Sequence, residues 1–459
     1  MIPRSTVTGV RWPAVPDGPG AALLAMQFQL AESERLPPAD IERLQLDQLA
    51  RLLEHAARTV PFYRRDPQYA KVASLPLLTA ELWRTLPILT RPELQESAVA
   101  MRSDAAPADH QPFGEIITTG STGRPVRGVT TAVTRALWLA ITVREILWHR
   151  RDMSGKLAAI RADRSEAIPP GGLRLPNWGP RIAAAFETGP CSVLGIDHEV
   201  KDQAEWLIDE DPDYLLTYPS NVMALARHFE ETGARLPRLR EVSTYGETLG
   251  PEVREACLGV WNVEVVDMYS AQELGYIALQ CPASRRYHIQ SEVVRVELLD
   301  DDGAPCEPGQ VGRVIVTPLH NYGQPLVRYE IGDYAMAGEP GCECGRGLPV
   351  IERITGRQRN MWTLPSGGRV WPMFSSSVWG HLSAIRQLQL VQHRLDHIEA
   401  RMVGPRPLTE TEEAEFTSLL RNQFDFPFEL TLTHMGEIDR TRDRKFEDFV
   451  SLLEPSAPA

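Results

Sequence analysis

Apolar and charged residues alternate at helical spacing from about Ala22 to Tyr63, most plainly in LQLDQLARLLEHAARTV, and the pattern predicts a helical N-terminal segment. A second amphipathic helix is expected from Thr134 to Arg150, where Leu137, Ala140, Ile141, Leu147 and Trp148 share one face at about 100° per residue. Between Glu199 and Ala256 helices alternate with short strands: EWLIDED, DYLLTYP, NVMALARHFEETG and REVSTYG follow one another. They lead into PEVREACLGVW, whose Pro251 suits the first turn of a helix. Such alternation predicts an α/β fold with parallel strands and crossover helices. From Val263 the pattern becomes strand-like in VEVVD, VVRVELLD and GRVIVTPL, the last two joined by the turn-rich DDGAPCEPGQ. Beyond Arg357, the strand-like RQLQLVQHR, the helix-like TETEEAEFTSLLRNQF and the strand-like FELTLTHM leave room for a separate small α+β domain.

A chain of 459 residues exceeds one compact core, which supports a large domain followed by a small one. The formal net charge of -13 argues against nucleic acid as a partner, because phosphate backbones select clustered Lys and Arg. No signal peptide is read in the Pro- and Gly-rich start, and the most apolar stretch, ALWLAITV, stops at Arg144 and Glu145. That is short of the ~20 residues that cross a bilayer, so the expectation is a soluble, cytoplasmic protein with no membrane partner. Six cysteines do not make a disulfide scaffold in a chain this long. Cys191, Cys257 and Cys306 are scattered, whereas Cys281, Cys342 and Cys344 fall near other candidate ligands.

The most informative segment is Thr118-Thr119-Gly120-Ser121-Thr122-Gly123-Arg124-Pro125, after the strand-like GEII. Glycines let the backbone turn with its N–H groups facing inward, and the hydroxyls add donors, so the loop suits a polyphosphate. It lacks the Gly-Lys-Ser/Thr ending of a Walker A loop. Further along come Tyr245-Gly246-Glu247-Thr248, Met268-Tyr269-Ser270-Ala271-Gln272-Glu273, Tyr329-Glu330-Ile331-Gly332-Asp333, Ile354-Thr355-Gly356-Arg357 and Arg442-Asp443-Arg444-Lys445-Phe446. In this order and spacing these segments resemble the core motifs of the acyl-adenylate-forming superfamily, which includes acyl-CoA synthetases, luciferases and peptide-synthetase adenylation domains. The chain is most similar to the phenylacetate-CoA ligase branch and its relatives in capsular-polysaccharide biosynthesis. The resemblance runs from about Leu49 to Val450 and includes LARLLEHAARTVPFYRR and TYPSNVMALA.

The resemblance implies an N-terminal adenylation domain over residues 1–356, built from α/β sheet layers and a β-rich part, and a mobile C-terminal domain over residues 357–459. It implies ATP-dependent activation of a carboxylic acid as acyl-AMP, then transfer to a thiol such as coenzyme A. Thr118, Thr119, Gly120, Ser121, Thr122 and Gly123 are expected to hold the ATP phosphates. Gly246, Glu247 and Thr248 are expected to border the adenine and the acyl phosphate, and Tyr269 to stack on the purine or acyl group. Glu273 would hold Mg2+, a hard cation suited to carboxylate and phosphate oxygens. Asp333, joined by Arg357, would accept hydrogen bonds from the ribose hydroxyls. Lys445 is the expected catalytic residue, because a lysine can bring the anionic carboxylate and α-phosphate together. A lysine in an arginine-rich segment is otherwise usually a solvated charge.

Cys281, His288, Cys342 and Cys344 form a second constellation, three thiols and an imidazole suited to tetrahedral zinc, with Gly341 and Gly345 permitting a tight knuckle. The bland alternative is ordinary buried cysteine beside a satisfied histidine. Two departures from the family pattern stand out: Arg359, where many relatives carry an acidic hinge residue, and Arg124, where many carry Lys. By resemblance Tyr218, Pro219 and Ser220 lie near the acyl pocket, with Trp138 or Trp148 as possible lining, and an aromatic or other planar acid is preferred. Delivery to a carrier protein or an amine, and a non-catalytic binding homologue, are the alternatives. A homodimer is the commonest oligomer to expect.

Overall fold

The computed structural model describes residues 3–118, 126–162, 168–357, 361–365, 369–370, 379, 382, 384–422, 427–438 and 449–453. The N-terminal helical segment is broken where Pro37 and Pro38 interrupt the periodicity. Helix α1 spans Gly18–Ser33, with Asp17 accepting the Gly20 N–H at its start, and α2 spans Pro38–Thr59 with proline in its first turn. Short helices follow: α3 (Pro61–Arg64), α4 (Pro67–Ala73), α5 (Ala80–Arg84) and α6 (Arg91–Glu96), the last closed by a Thr90/Glu93 capping box. Strands β1 (Gly114–Thr118) and β2 (Val126–Thr130) pair antiparallel on either side of the glycine-rich loop. Helix α7 covers Ala132–Trp148, begun by a Thr131/Thr134 capping box.

One twelve-stranded sheet organises the large part of the chain. Its parallel half contains β3 (Leu157–Arg161), β5 (Cys191–Gly195), β6 (Tyr214–Thr217), β7 (Glu241–Tyr245) and β8 (Glu264–Ala271), with β4 (Leu173–Leu175) antiparallel at the edge. Crossover helices α8 (Val200–Glu210), α9 (Pro219–Thr232) and α10 (Pro251–Trp261) connect them as the alternation predicts. The antiparallel half adds β9 (Gly275–Gln280), β10 (Tyr287–Ile289), β11 (Val294–Leu299), β12 (Val311–Pro318), β13 (Tyr329–Ala337) and β14 (Val350–Arg357). The strand order is β11-β12-β13-β14-β10-β9-β8-β7-β6-β3-β5-β4. Alternate strand residues serve opposite cores: Ala159 and Val193 pack with α1 and α7, while Ala158, Ile160 and Leu194 pack with α8, α9 and α10. Burial on both faces accounts for the near-continuous apolar character of these strands.

Arg144 and Glu145 do not end the apolar face of α7; each is only 2% exposed. Arg144 donates to Glu292 at 2.7 Å, to Gln290 at 2.9 Å and to the Leu30 carbonyl at 2.6 Å. Glu145 pairs with Arg151. Buried charges persist only when paired in this way, and removing one partner leaves the other stranded.

The last unit has its own sheet, β19-β18-β17-β20, from β17 (Gln387–Arg394), β18 (His397–Val403), β19 (Glu429–Met435) and β20 (Phe449–Ser451), covered by the helix Glu410–Arg421. Its core includes Trp362, Phe416, Leu420 and Phe449. The little hairpin of β15 (Trp362–Thr363) and β16 (Arg369–Val370) is tied to it by Gln392, whose amide takes the Thr363 N–H at 3.1 Å and donates to the Thr363 carbonyl at 2.8 Å. Strand β14 belongs to the large sheet through Arg357, so the change of core falls between residues 357 and 362. No helix among the described residues is long and apolar enough to cross a membrane.

Candidate active site

Strands β8, β13 and β14 bring together residues far apart in the chain. Antiparallel register sets Asp333 opposite Arg357, and the Arg357 Nε donates to Asp333 Oδ1 at 3.2 Å. The Tyr269 hydroxyl donates to Asp333 Oδ2 at 2.8 Å. An ionised carboxylate has about four acceptor positions, so Asp333 is oriented by two donors and keeps capacity for a ligand with hydroxyls. Burial, then the neighbouring Asp333 charge, pushes the Tyr269 hydroxyl well above its ordinary pKa, so it remains a donor. Glu273 is half-buried nearby; burial raises its carboxyl pKa against the opposing pull of Arg91 and Arg357.

The loop after β7 meets the start of α9. Ser220 donates its N–H and hydroxyl to the Glu247 carboxylate at 2.9 and 3.1 Å, and the Tyr218 and Tyr245 rings lie 4.9 Å apart. Thus the segments 218–220 and 246–248, expected to serve the acyl group and the nucleotide, are in direct contact; Thr248 is exposed at the rim. Thr118 ends β1 opposite Val126. Thr119, Gly120, Ser121, Thr122, Gly123, Arg124, Arg359 and Lys445 lie outside the described residues. Trp138 remains partly exposed against Tyr276, with ring centroids 5.0 Å apart. Trp148 is not an acyl-pocket residue. Its indole N–H donates to Glu34 at 2.8 Å, Arg346 stacks 4.0 Å over its ring, and His288 meets its edge, which places it beside the cysteine cluster instead.

In that cluster the ligand atoms of Cys281, His288, Cys342 and Cys344 all lie within 4.8 Å of one another. A tetrahedral ion with bonds of about 2.3 Å to sulfur sets thiolates about 3.8 Å apart, and Cys281 Sγ lies 3.7 Å from Cys342 Sγ. Cys344 Sγ is 3.2 Å from His288 Nε2. The other imidazole nitrogen, Nδ1, is 3.2 Å from the Leu348 carbonyl, which assigns it the proton and leaves Nε2 free to ligate. Burial lowers the His288 pKa, favouring the neutral ring that a metal requires. Gly341 and Gly345 take φ of +83° and +74°, the left-handed turns that the knuckle needs. The donor set therefore fits zinc.

No family model matches the chain. The phenylacetate-coenzyme A ligase of Thermus thermophilus is 25% identical over 357 residues, 76% of this chain and 76% of that protein. The phenylacetate-coenzyme A ligase of Escherichia coli is 24% identical over 382 residues, 79% of this chain and 82% of that protein. Among solved structures, 2-hydroxyisobutyryl-CoA ligase in the postadenylation state, in complex with 2-HIB-AMP, superposes with a TM-score of 0.72 over 92% of this chain and 91% of that chain, at 20% identity. The fold is that of the adenylate-forming CoA ligases.

Within this fold, Arg91 also stands beside Glu273 and Tyr329. It opens α6, and the preceding Leu89 bridges to Tyr329 of β13 through backbone hydrogen bonds of 2.9 Å on either side. The buried Tyr329 hydroxyl lies against the Arg91 side chain, with Glu273 close by. Nothing in the local pattern TRPELQE marks this arginine; only the long-range strand pairing brings it to the site.

Proposed function

We propose that this protein activates a carboxylic acid with ATP and transfers the acyl group to coenzyme A. In the first step a carboxylate oxygen attacks the α-phosphorus, the bond to the bridging oxygen breaks, and pyrophosphate leaves. In the second the thiol sulfur attacks the acyl carbonyl, AMP departs, and the thiol proton passes to solvent. The observation that carries this reading is the Tyr269–Asp333–Arg357 triad beside Glu273, a pre-oriented carboxylate next to a second carboxylate at the meeting point of β8, β13 and β14.

Asp333 takes the ribose hydroxyls, and Glu273 suits Mg2+, which commonly uses one or two carboxylates together with substrate phosphates. When bound, the ion neutralises phosphate charge. Lys445 is the residue assigned to the reacting centre. Cys281, His288, Cys342 and Cys344 hold a structural zinc ion, a closed set of four ligands with no open position. The preferred acid is aromatic or otherwise planar, given the paired Tyr218 and Tyr245 rings at the segments that border the acyl group.

The test is acid-dependent ATP–pyrophosphate exchange across aryl, heteroaryl and short-chain acids. Exchange with one class supports the reading and names the acid; no exchange with any acid, together with no ATP binding, overturns it. A second measurement isolates the triad. Tyr269→Phe keeps the ring and loses the donor to Asp333, so KM for ATP is expected to rise by roughly three- to tenfold, with KM for the acid nearly unchanged. An unaltered ATP KM in steady-state kinetics would remove Tyr269 from this role.

A further inference from the structure

The adenylating reading assigns nucleotide contacts to the loop 246–248 and acyl contacts to the segment 218–220, and both lie on separate crossover connections of the sheet. Two rigid sites built on separate connections need a common frame if the acid is to meet the α-phosphate in line, because small displacements of a reacting atom carry large rate costs. The structure supplies such a frame. Gly246 takes φ of +79°, turning the chain so that Tyr245 and Glu247 on either side of it both reach the start of α9. The Tyr245 ring packs on Tyr218, with centroids 4.9 Å apart and planes at 36°. The Glu247 carboxylate receives the Ser220 N–H at one oxygen, 2.9 Å away, and the Ser220 hydroxyl at the other, 3.1 Å away.

The Ser220 amide is an orphan donor of the first turn of α9, and Tyr218 at the cap position offers no side-chain hydrogen bond. Glu247, 27 residues later in the chain, takes that place with both carboxylate oxygens. Using them on Ser220 also turns the negative charge of Glu247 onto donors on the acyl side, which lessens its repulsion of an incoming carboxylate. The far end of the segment is fixed too, since the Ala162 N–H donates to the Tyr218 hydroxyl at 3.4 Å.

We infer that Glu247 is a positioning residue that locks the acyl-side segment 218–220 to the nucleotide loop 245–248, so that binding of acid and nucleotide tighten each other. The inference rests on the adenylating reading for its function, but the lock itself has an independent readout. Hydrogen–deuterium exchange of the peptide containing Ser220 reports the amide donated to Glu247, whatever the catalytic outcome.

The experiment compares wild type with Glu247→Ala, Glu247→Gln, Ser220→Ala and the Glu247→Ala/Ser220→Ala pair. It reads exchange protection at Ser220, melting temperature, and KM for the acid at low and saturating ATP. Glu247→Ala is expected to deprotect Ser220 and raise KM for the acid by roughly tenfold, and to abolish the dependence of that KM on ATP while leaving the melting temperature close to wild type. Ser220→Ala is expected to act in the same direction, with the pair no worse than Glu247→Ala alone. Glu247→Gln, which still accepts the Ser220 N–H, is expected to recover most of the loss. Unchanged protection at Ser220 in Glu247→Ala overturns the lock. Additive effects of the two alanine variants, or a Gln variant as impaired as the Ala variant, overturn it equally, because Glu247 would then act on substrate directly. Absence of acid-dependent turnover in the wild type, with Ser220 deprotected by Glu247→Ala, sinks the adenylating reading and leaves the lock as a structural link.

Discussion

Replacing Lys445 with alanine is expected to lower acid-dependent ATP–pyrophosphate exchange by about 10²–10³-fold, the cost of removing one preorganised charge from a developing anion. The cause is electrostatic. The nucleophilic carboxylate and the α-phosphate are both negative, and the chain as a whole carries a formal charge of -13. Two arginines stand at the described part of the site, but each is committed elsewhere. Arg357 donates to Asp333, and Arg91 sits beside Tyr329 and Glu273. A further cation is required at the reacting atoms, and Lys445 in EIDRTRDRKF is the residue proposed to supply it. Transfer of the acyl group from preformed acyl-AMP to coenzyme A joins no second anion to the phosphate, so that half-reaction is expected to keep most of its rate. Equal loss in both halves would point to a misfolded small domain, and an unchanged exchange rate would remove Lys445 from the chemistry.

The parts of the fold that were legible in the sequence are those where a local pattern coincides with a local cause. From Glu199 to Ala256 each crossover helix has one apolar face, and each strand is short and bounded by turn residues, so the parallel half of the sheet could be read directly. The antiparallel pair β11 and β12 was equally plain, because β-branched runs flank an Asp/Gly/Pro turn. Strand β10 was not readable: three residues carry no period, and its strand character comes from pairing with β9 on one side and β14 on the other. The burial of Arg144 and Glu145 just after the apolar run was not readable, since partners such as Glu292 lie 148 residues away and no local pattern announces them. The candidate site divides in the same way. Cys281, His288, Cys342 and Cys344 are rare residue types near glycines, and geometry brought all four together. The hydroxyl of Tyr269 reaching Asp333 across 64 residues, and Arg91 arriving from the N-terminal helices, depend on strand order and could only be found in three dimensions.

Removing the metal from the cysteine cluster is expected to lower the melting temperature by about 5–10 °C, as a loss of several kcal/mol does in a domain of this size. The size of the effect follows from what the cluster joins. Cys281 follows β9, His288 is the middle residue of β10, and Cys342 and Cys344 precede β14. Strand β10 meets β14 through only two register pairs, Tyr287 with Ile351 and His288 with Val350, so the middle of the twelve-stranded sheet is held by its shortest interior strand. An ion bound to both sides of that junction cross-links it. The same knuckle buttresses α1 and α2, because Arg35 donates to the Cys344 carbonyl at 2.8 Å and the Gly347 N–H to the Glu34 carbonyl at 2.9 Å. Arg346 then extends the link to the Glu34 carboxylate and the Trp148 ring. Elemental analysis of the purified protein is expected to find one zinc per chain, and Cys342→Ser/Cys344→Ser to lower the melting temperature as chelation does. Exchange activity assayed well below the melting temperature is expected to survive, since a four-ligand site has no position at which a substrate can coordinate. Metal-free protein whose melting is indifferent to chelators would reject the zinc site. Activity that vanishes on chelation at low temperature, with the fold intact, would move the ion from scaffold to catalyst.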